Sequence, residues 1–279
     1  VLFSKDEKTL VRYPTEMGGN YKIPEGTETI GVSAFQLADI TAVTIPNTVM
    51  ILEDNAFDQC EFLKEVIIPD SVTTIGNSAF VHCNSLEKVT VGSGVTTIGS
   101  NAFSTYFSNK DSRVIVDMSR ADKITSIGKG AFYHSTTEVS NSVVYVANED
   151  IINLFGFGSS SLDGQLYYAG TYIMCTNGGT VNSSSITAST AKKFLTPDRG
   201  TEYTFDGWYD NPDFTGTPYS ERQGSGQSQS KYYAKWKCNI TFHENGGSGF
   251  MSAQAIVAGQ PNSLNKTVSY THLRAHETR

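Results

Sequence analysis

Asp70-Ser71-Val72-Thr73-Thr74-Ile75-Gly76-Asn77-Ser78-Ala79-Phe80-Val81-His82-Cys83-Asn84-Ser85-Leu86-Glu87-Lys88-Val89-Thr90-Val91 decides the fold, because most of its pattern returns before and after it. The Ala-Phe pair recurs, ending at Phe35, Phe57, Phe80, Phe103 and Phe132, at intervals of 22, 23, 23 and 29 residues. Self-similarity at a nearly fixed period is the mark of a solenoid, in which each unit stacks on the next. Apolar residues two apart, as at Val66 and Ile68 or Val89 and Val91, turn one face of a strand inward. Ile23-Pro24, Ile45-Pro46 and Ile68-Pro69 mark where such strands stop, since proline removes a ladder donor. The Ile75-Gly76 step reads as a turn with unusual backbone angles, and Ala79-Phe80 as a small residue beside a ring that fills the coil. No unit buries its face alone, so stability is expected to come from stacking.

These residues resemble the BspA-type leucine-rich repeat. The match is best where Leu63, Val66, Ile68 and Pro69 lead into Val72, Ile75, Gly76, Ala79, Phe80 and Cys83. The resemblance covers about residues 1–155. It implies a mainly β chain, a leucine-rich repeat solenoid, followed here by small β-grasp modules. Residues 1–24 read as an incomplete leading unit, and Val1 in place of Met makes a natural N-terminal extension the expectation. The long interval before Phe132 carries an insertion, Ser104 to Asp122, with the charges Lys110, Asp111, Arg113, Asp117 and Arg120. It reads as a tolerated surface loop, with a binding face as the alternative. Val143 to Val146 and then Asp150 to Phe155 read as a last strand and a short helix closing an otherwise unpaired edge.

Gly156 to Gly164 is rich in Gly and Ser, and 156–165 is read as a linker. Beyond it Gly207-Trp208-Tyr209 and Tyr233-Ala234-Lys235-Trp236 resemble the internalin-type B repeat, a β-grasp module, at 166–237. Asn177-Gly178-Gly179-Thr180 fits its hairpin, and Trp208 and Trp236 are expected in its core. A second module opens at 238–267 with Ile240-Thr241-Phe242 and the hairpin Asn245-Gly246-Gly247-Ser248-Gly249 but lacks its Gly-Trp-Tyr half. Residues 268–279 resemble the translation of a sequencing-library adapter and are set aside, with His272, His276 and Glu277, whose spacing imitates a helical metal pair.

The formal charge of -7, without clustered Lys or Arg, weighs against nucleic acid. No run of 18 apolar residues spans a membrane. The four cysteines form no C-x-x-C pair; Cys60 and Cys83 share one place in successive units and read as free, buried thiols. His82 and His134 each follow a repeat phenylalanine by two residues, which is a repeat effect. No nucleophile elbow or phosphate loop is present, so no catalytic residue, metal or cofactor is assigned.

The array does offer a sheet face. With Val66 and Ile68 inward, Glu65 and Ile67 point out, followed in register by Lys88 and Thr90, Arg113 and Ile115, then Val143 and Tyr145. Ile67, Ile115 and Tyr145 form an apolar strip of the kind that marks protein contact, although solvent-facing strands also favour such residues. The family resemblance implies adhesion, on the surface of a bacterial cell, to an extracellular protein or glycan. A repeat stalk without a ligand and accessory modules of a larger secreted enzyme are the alternatives.

Overall fold

The computed structural model describes residues 1–106, 114–135, 143–155, 172–182, 194–220, 230–240 and 254–257. The linker read at 156–165, Arg113, the hairpin at 245–249 and the tail at 268–279 lie outside them.

From the second coil on, each coil contributes one two-residue strand and one longer strand, so the solenoid has two walls of parallel strands. The first wall runs Thr9–Arg12, Thr29–Ile30, Ile51–Leu52, Thr74–Ile75, Thr97–Ile98 and Ser126–Ile127, with Leu2–Phe3 folded antiparallel onto its first strand. The second runs Gly19–Lys22, Ile40–Thr44, Glu65–Ile68, Lys88–Val91, Ile115–Met118 and Val143–Val146. Between the walls lies one apolar core, with Ile30, Leu52, Ile75 and Ile98 facing Val66, Val89, Val116 and Val144. Phe35, Phe57, Phe80, Phe103 and Phe132 fill the coil between them as a stacked ladder. Ring centroids are 4.7 Å apart for Phe35–Phe57, 4.8 Å for Phe57–Phe80 and 5.3 Å for Phe80–Phe103, with planes within 9°. The ladder forms because the backbone beside each ring is itself stacked: the Phe57 N–H donates to Ala79 O and the Phe80 N–H to Ala102 O, both at 2.7 Å.

Cys60 and Cys83 sit in that core with free thiols, which donate to the carbonyls of Phe35 and Phe57 at 3.1 Å. Burial pushes the Cys83 thiol well above its ordinary range, which disfavours the thiolate.

Two sequence expectations change here. The glycines of the Ile-Gly step are not left-handed; that conformation falls two residues later, at Ser78 and Asn101 with φ 54° and 55°. Glycine is required because successive coils nearly touch: a Cβ on Gly99 would lie 2.5 Å from the Asn77 nitrogen, and one on Gly128 2.2 Å from that of Ser100. The second change concerns the end of the array. The helix Glu149–Leu154 forms, with the Asn148 side chain accepting from the Ile151 N–H at 3.1 Å, and Phe155 extends the ring ladder 5.5 Å from Phe132. Val143–Val146 is not the last strand, however. Tyr172–Cys175 pairs parallel to it and Ser230–Ile240 pairs parallel to Tyr172–Cys175, so the long sheet runs on into the C-terminal module.

Candidate ligand-binding face

Outward positions of the long sheet line up in two columns. One runs Ala42, Glu65, Lys88, Ile115, Val143 and Tyr172; the other runs Ile67, Thr90, Asp117, Tyr145, Met174 and Tyr232. The pairing corrects the register read across the insertion. Ile115 lies beside Lys88 and Asp117 beside Thr90, so the outward pair on that strand is Ile115 and Asp117 rather than Arg113 and Ile115.

Exposure falls steeply along these columns. Ile67 is 59% exposed, Glu65 is exposed, and Lys88 and Thr90 are half-buried. Ile115 and Val143 are 5% exposed and Tyr145 is 2% exposed, so three of the expected face residues are closed to solvent. The physical reason is that the C-terminal module sits on them. Phe194, Trp208, Trp236 and Val181 join Ile115, Val143, Tyr145 and Tyr172 in a second apolar core. The Tyr145 ring lies 6.2 Å from that of Trp208, and its hydroxyl accepts from the Leu195 N–H at 2.9 Å. Both tryptophan N–H groups are satisfied, Trp208 donating to Leu195 O and Trp236 to Thr176 O. Asn177 and Gly178 turn through positive φ, and Gly179 clears the Trp236 ring, whose nearest atom lies 2.4 Å from where a Cβ would stand.

Along the seam a polar relay ties the module to the sheet. The Val181 N–H donates to Ser119 Oγ at 3.1 Å, and the Ser119 hydroxyl and N–H both donate to one oxygen of the Asp117 carboxylate at 2.7 and 3.0 Å. Burial raises the Asp117 carboxyl above its ordinary range, against these hydrogen bonds and the charges of Lys88 and Arg120. The unfolded chain gives up this proton at lower pH than the folded one. Asp117 therefore favours the fold in acid, and that contribution is lost as pH rises through the raised value.

What stays open is a groove of about 480 Å³ on the N-terminal side of the seam, floored by Ala42, Thr44, Ile67 and Thr90. Two ion pairs border it: Lys88 Nζ lies 2.6 Å from Glu65, and Arg120 Nη2 3.1 Å from Asp70. The Ser93 N–H, and Arg120 beyond it, hold the Asp70 carboxyl below its usual range. A floor of Ala42, Ile67 and two threonines, inside a rim of opposed charges, suits contact with a partner's apolar and polar side chains together. Among the described residues no group of three His, Cys, Asp or Glu side chains is placed to hold a metal, and no helix is long and apolar enough to cross a membrane.

A family profile for the BspA type leucine rich repeat region matches residues 19–138 in six copies. The chain carries BspA-type leucine-rich repeats. A second profile, the Listeria-Bacteroides repeat domain, matches residues 171–235 and so coincides with the module that covers the sheet. Both profiles describe repeats; neither describes a catalytic domain. Among solved structures, the chain is similar to a leucine-rich repeat protein from Eubacterium ventriosum, at 18% identity over 67% of this chain and 50% of that one, with a TM-score of 0.37. It is also similar to the pneumococcal vaccine antigen PcpA, at 20% identity over 63% of this chain and 46% of that one, with a TM-score of 0.41. The chain thus matches about half the length of each. No curated protein matches it.

Proposed function

We propose that this chain is part of an extracellular bacterial surface protein whose BspA-type solenoid binds a protein ligand through the groove around Ile67, with the C-terminal repeats as a spacer. The observation that carries the reading is Ile67 itself, a large apolar side chain held 59% exposed on a rigid strand, in a groove bordered by two ion pairs. Such a patch is what a protein contact covers. A protein fits better than a glycan because the groove lining holds no aromatic ring to stack on a sugar, and the rings of the outward face are sealed beneath the module. Placement at the cell surface rests on the resemblance of both repeat classes to modules of bacterial surface proteins.

The test is to present the intact chain to an array of purified extracellular-matrix proteins and glycans, then repeat it with Ile67→Asp. The expected result is retention on a protein spot, weakened about 10-fold or more by the substitution, as for a residue at the centre of an interface. Failure to bind anything on the array favours the ligand-free stalk, and binding that Ile67→Asp leaves unchanged rejects this groove.

A further inference from the structure

We infer that the C-terminal repeats are joined through a shared strand rather than a linker, so that the solenoid, the first repeat and the opening of the next form one continuous sheet. The inference rests on the strand Ser230–Ile240, which is 11 residues long and runs unbroken through the point, between Lys237 and Cys238, where the sequence divides one module from the next. Its pairing changes along its length. Ser230 to Tyr233 pair parallel with Tyr172 to Cys175, which continues the solenoid wall. From Tyr233 to Cys238 it pairs antiparallel with Tyr209 back to Tyr203. Lys237 to Ile240 pair antiparallel with Val257 back to Gln254, the strand that belongs to the second module.

Lys237 and Cys238 are therefore paired on both flanks, with Thr204 and Tyr203 on one side and Val257 and Ile256 on the other. A flexible joint needs residues free of ladder bonds; here the boundary residues hold two ladders at once. Asp206 adds to this by pairing with Lys235 at 3.5 Å and with Lys237, across the same strands. Bending at the boundary requires one ladder to break before the other can turn, so Gln254–Val257 keeps a fixed direction relative to the sheet. The groove around Ile67 lies on that same sheet, and its direction relative to Ser230–Ile240 and Gln254–Val257 is fixed with it. This holds whatever the groove binds, and it fails or stands independently of the binding proposal.

Hydrogen exchange on the intact chain tests it at Asn239 and Ile240, which lie beyond the last residue paired with Tyr203–Tyr209 and, among the described residues, pair with Gln254–Val257 alone. Ladder bonds alternate along an antiparallel pair, so one of these two amides points at that strand. The shared strand predicts that this amide exchanges about 100-fold or more slowly than in a free peptide. In the variant carrying both Ala255→Pro and Ile256→Pro, the protection is expected to disappear while Tyr232 to Trp236 stay protected. Free-peptide exchange at both Asn239 and Ile240 in the unmodified chain overturns the inference, as does protection there that the two prolines leave untouched.

Discussion

Replacing Phe80 with alanine is expected to lower the stability of the chain by about 3 to 5 kcal/mol, read as a shift in the midpoint of denaturant unfolding. The ring is fully buried and stands between Phe57 and Phe103, 4.8 and 5.3 Å away, with planes within 7° of both. Deleting it opens a hole in the middle of a column, where rings above and below are held by their own backbone ladders and cannot collapse inward. The loss therefore combines the transfer cost of the ring with a cavity cost. Phe62 provides the control, since it is exposed on a turn and alanine there should change stability by no more than about 0.5 kcal/mol. Equal midpoints for the two variants would show that the units do not depend on stacking.

Tyr145→Asp is expected to be nearly as damaging for a different reason. Tyr145 lies under the module, against Trp208, with its hydroxyl on the Leu195 N–H. A carboxylate in its place is buried in the second apolar core, beside the Asp117 position on the neighbouring strand, and an uncompensated buried charge costs about 3 to 5 kcal/mol. The cheapest escape is for the module to lift from the sheet, which puts Trp208 into water. Tryptophan emission should then shift to the red under conditions where the unmodified chain keeps its folded spectrum. Ile67→Asp, two strands beyond Asp117 in the same column, meets solvent and should leave the spectrum and the midpoint unchanged. The two substitutions look alike in a strand diagram, and their different outcomes report the division of the face.

That division explains which parts of the molecule could be read from sequence. The ring ladder was legible because Ala-Phe recurs at nearly constant spacing and a solenoid turns spacing directly into contact. The trapped glycines were legible as positions but not as causes: Gly99 is forced by the approach of the coil beneath it, a distance that no local turn rule contains. The register across the insertion differs from the sequence expectation by two residues, because Ser104 to Asp122 breaks the repeat period.

The covered half of the face carries its own signal in the sequence. Glu65–Ile68 and Lys88–Val91 alternate between outward and inward residues, whereas Ile115–Met118, Val143–Val146 and Tyr172–Cys175 are buried at every position. An uninterrupted buried strand is the mark of a sheet covered on both sides. Val-Val-Tyr-Val at 143–146 thus announces a second layer, which the module supplies. Its two tryptophans are core residues as expected, but the core they complete is shared with the solenoid.

The most direct test of this account is carbene footprinting of the intact chain, read residue by residue. Heavy labelling at Ile67, with Ile115, Val143 and Tyr145 labelled only after denaturation, is the predicted result. Labelling of Tyr145 in the native chain to the same extent as Ile67 would show that the module does not rest on the sheet, and would contradict the division of the face into an open and a covered half.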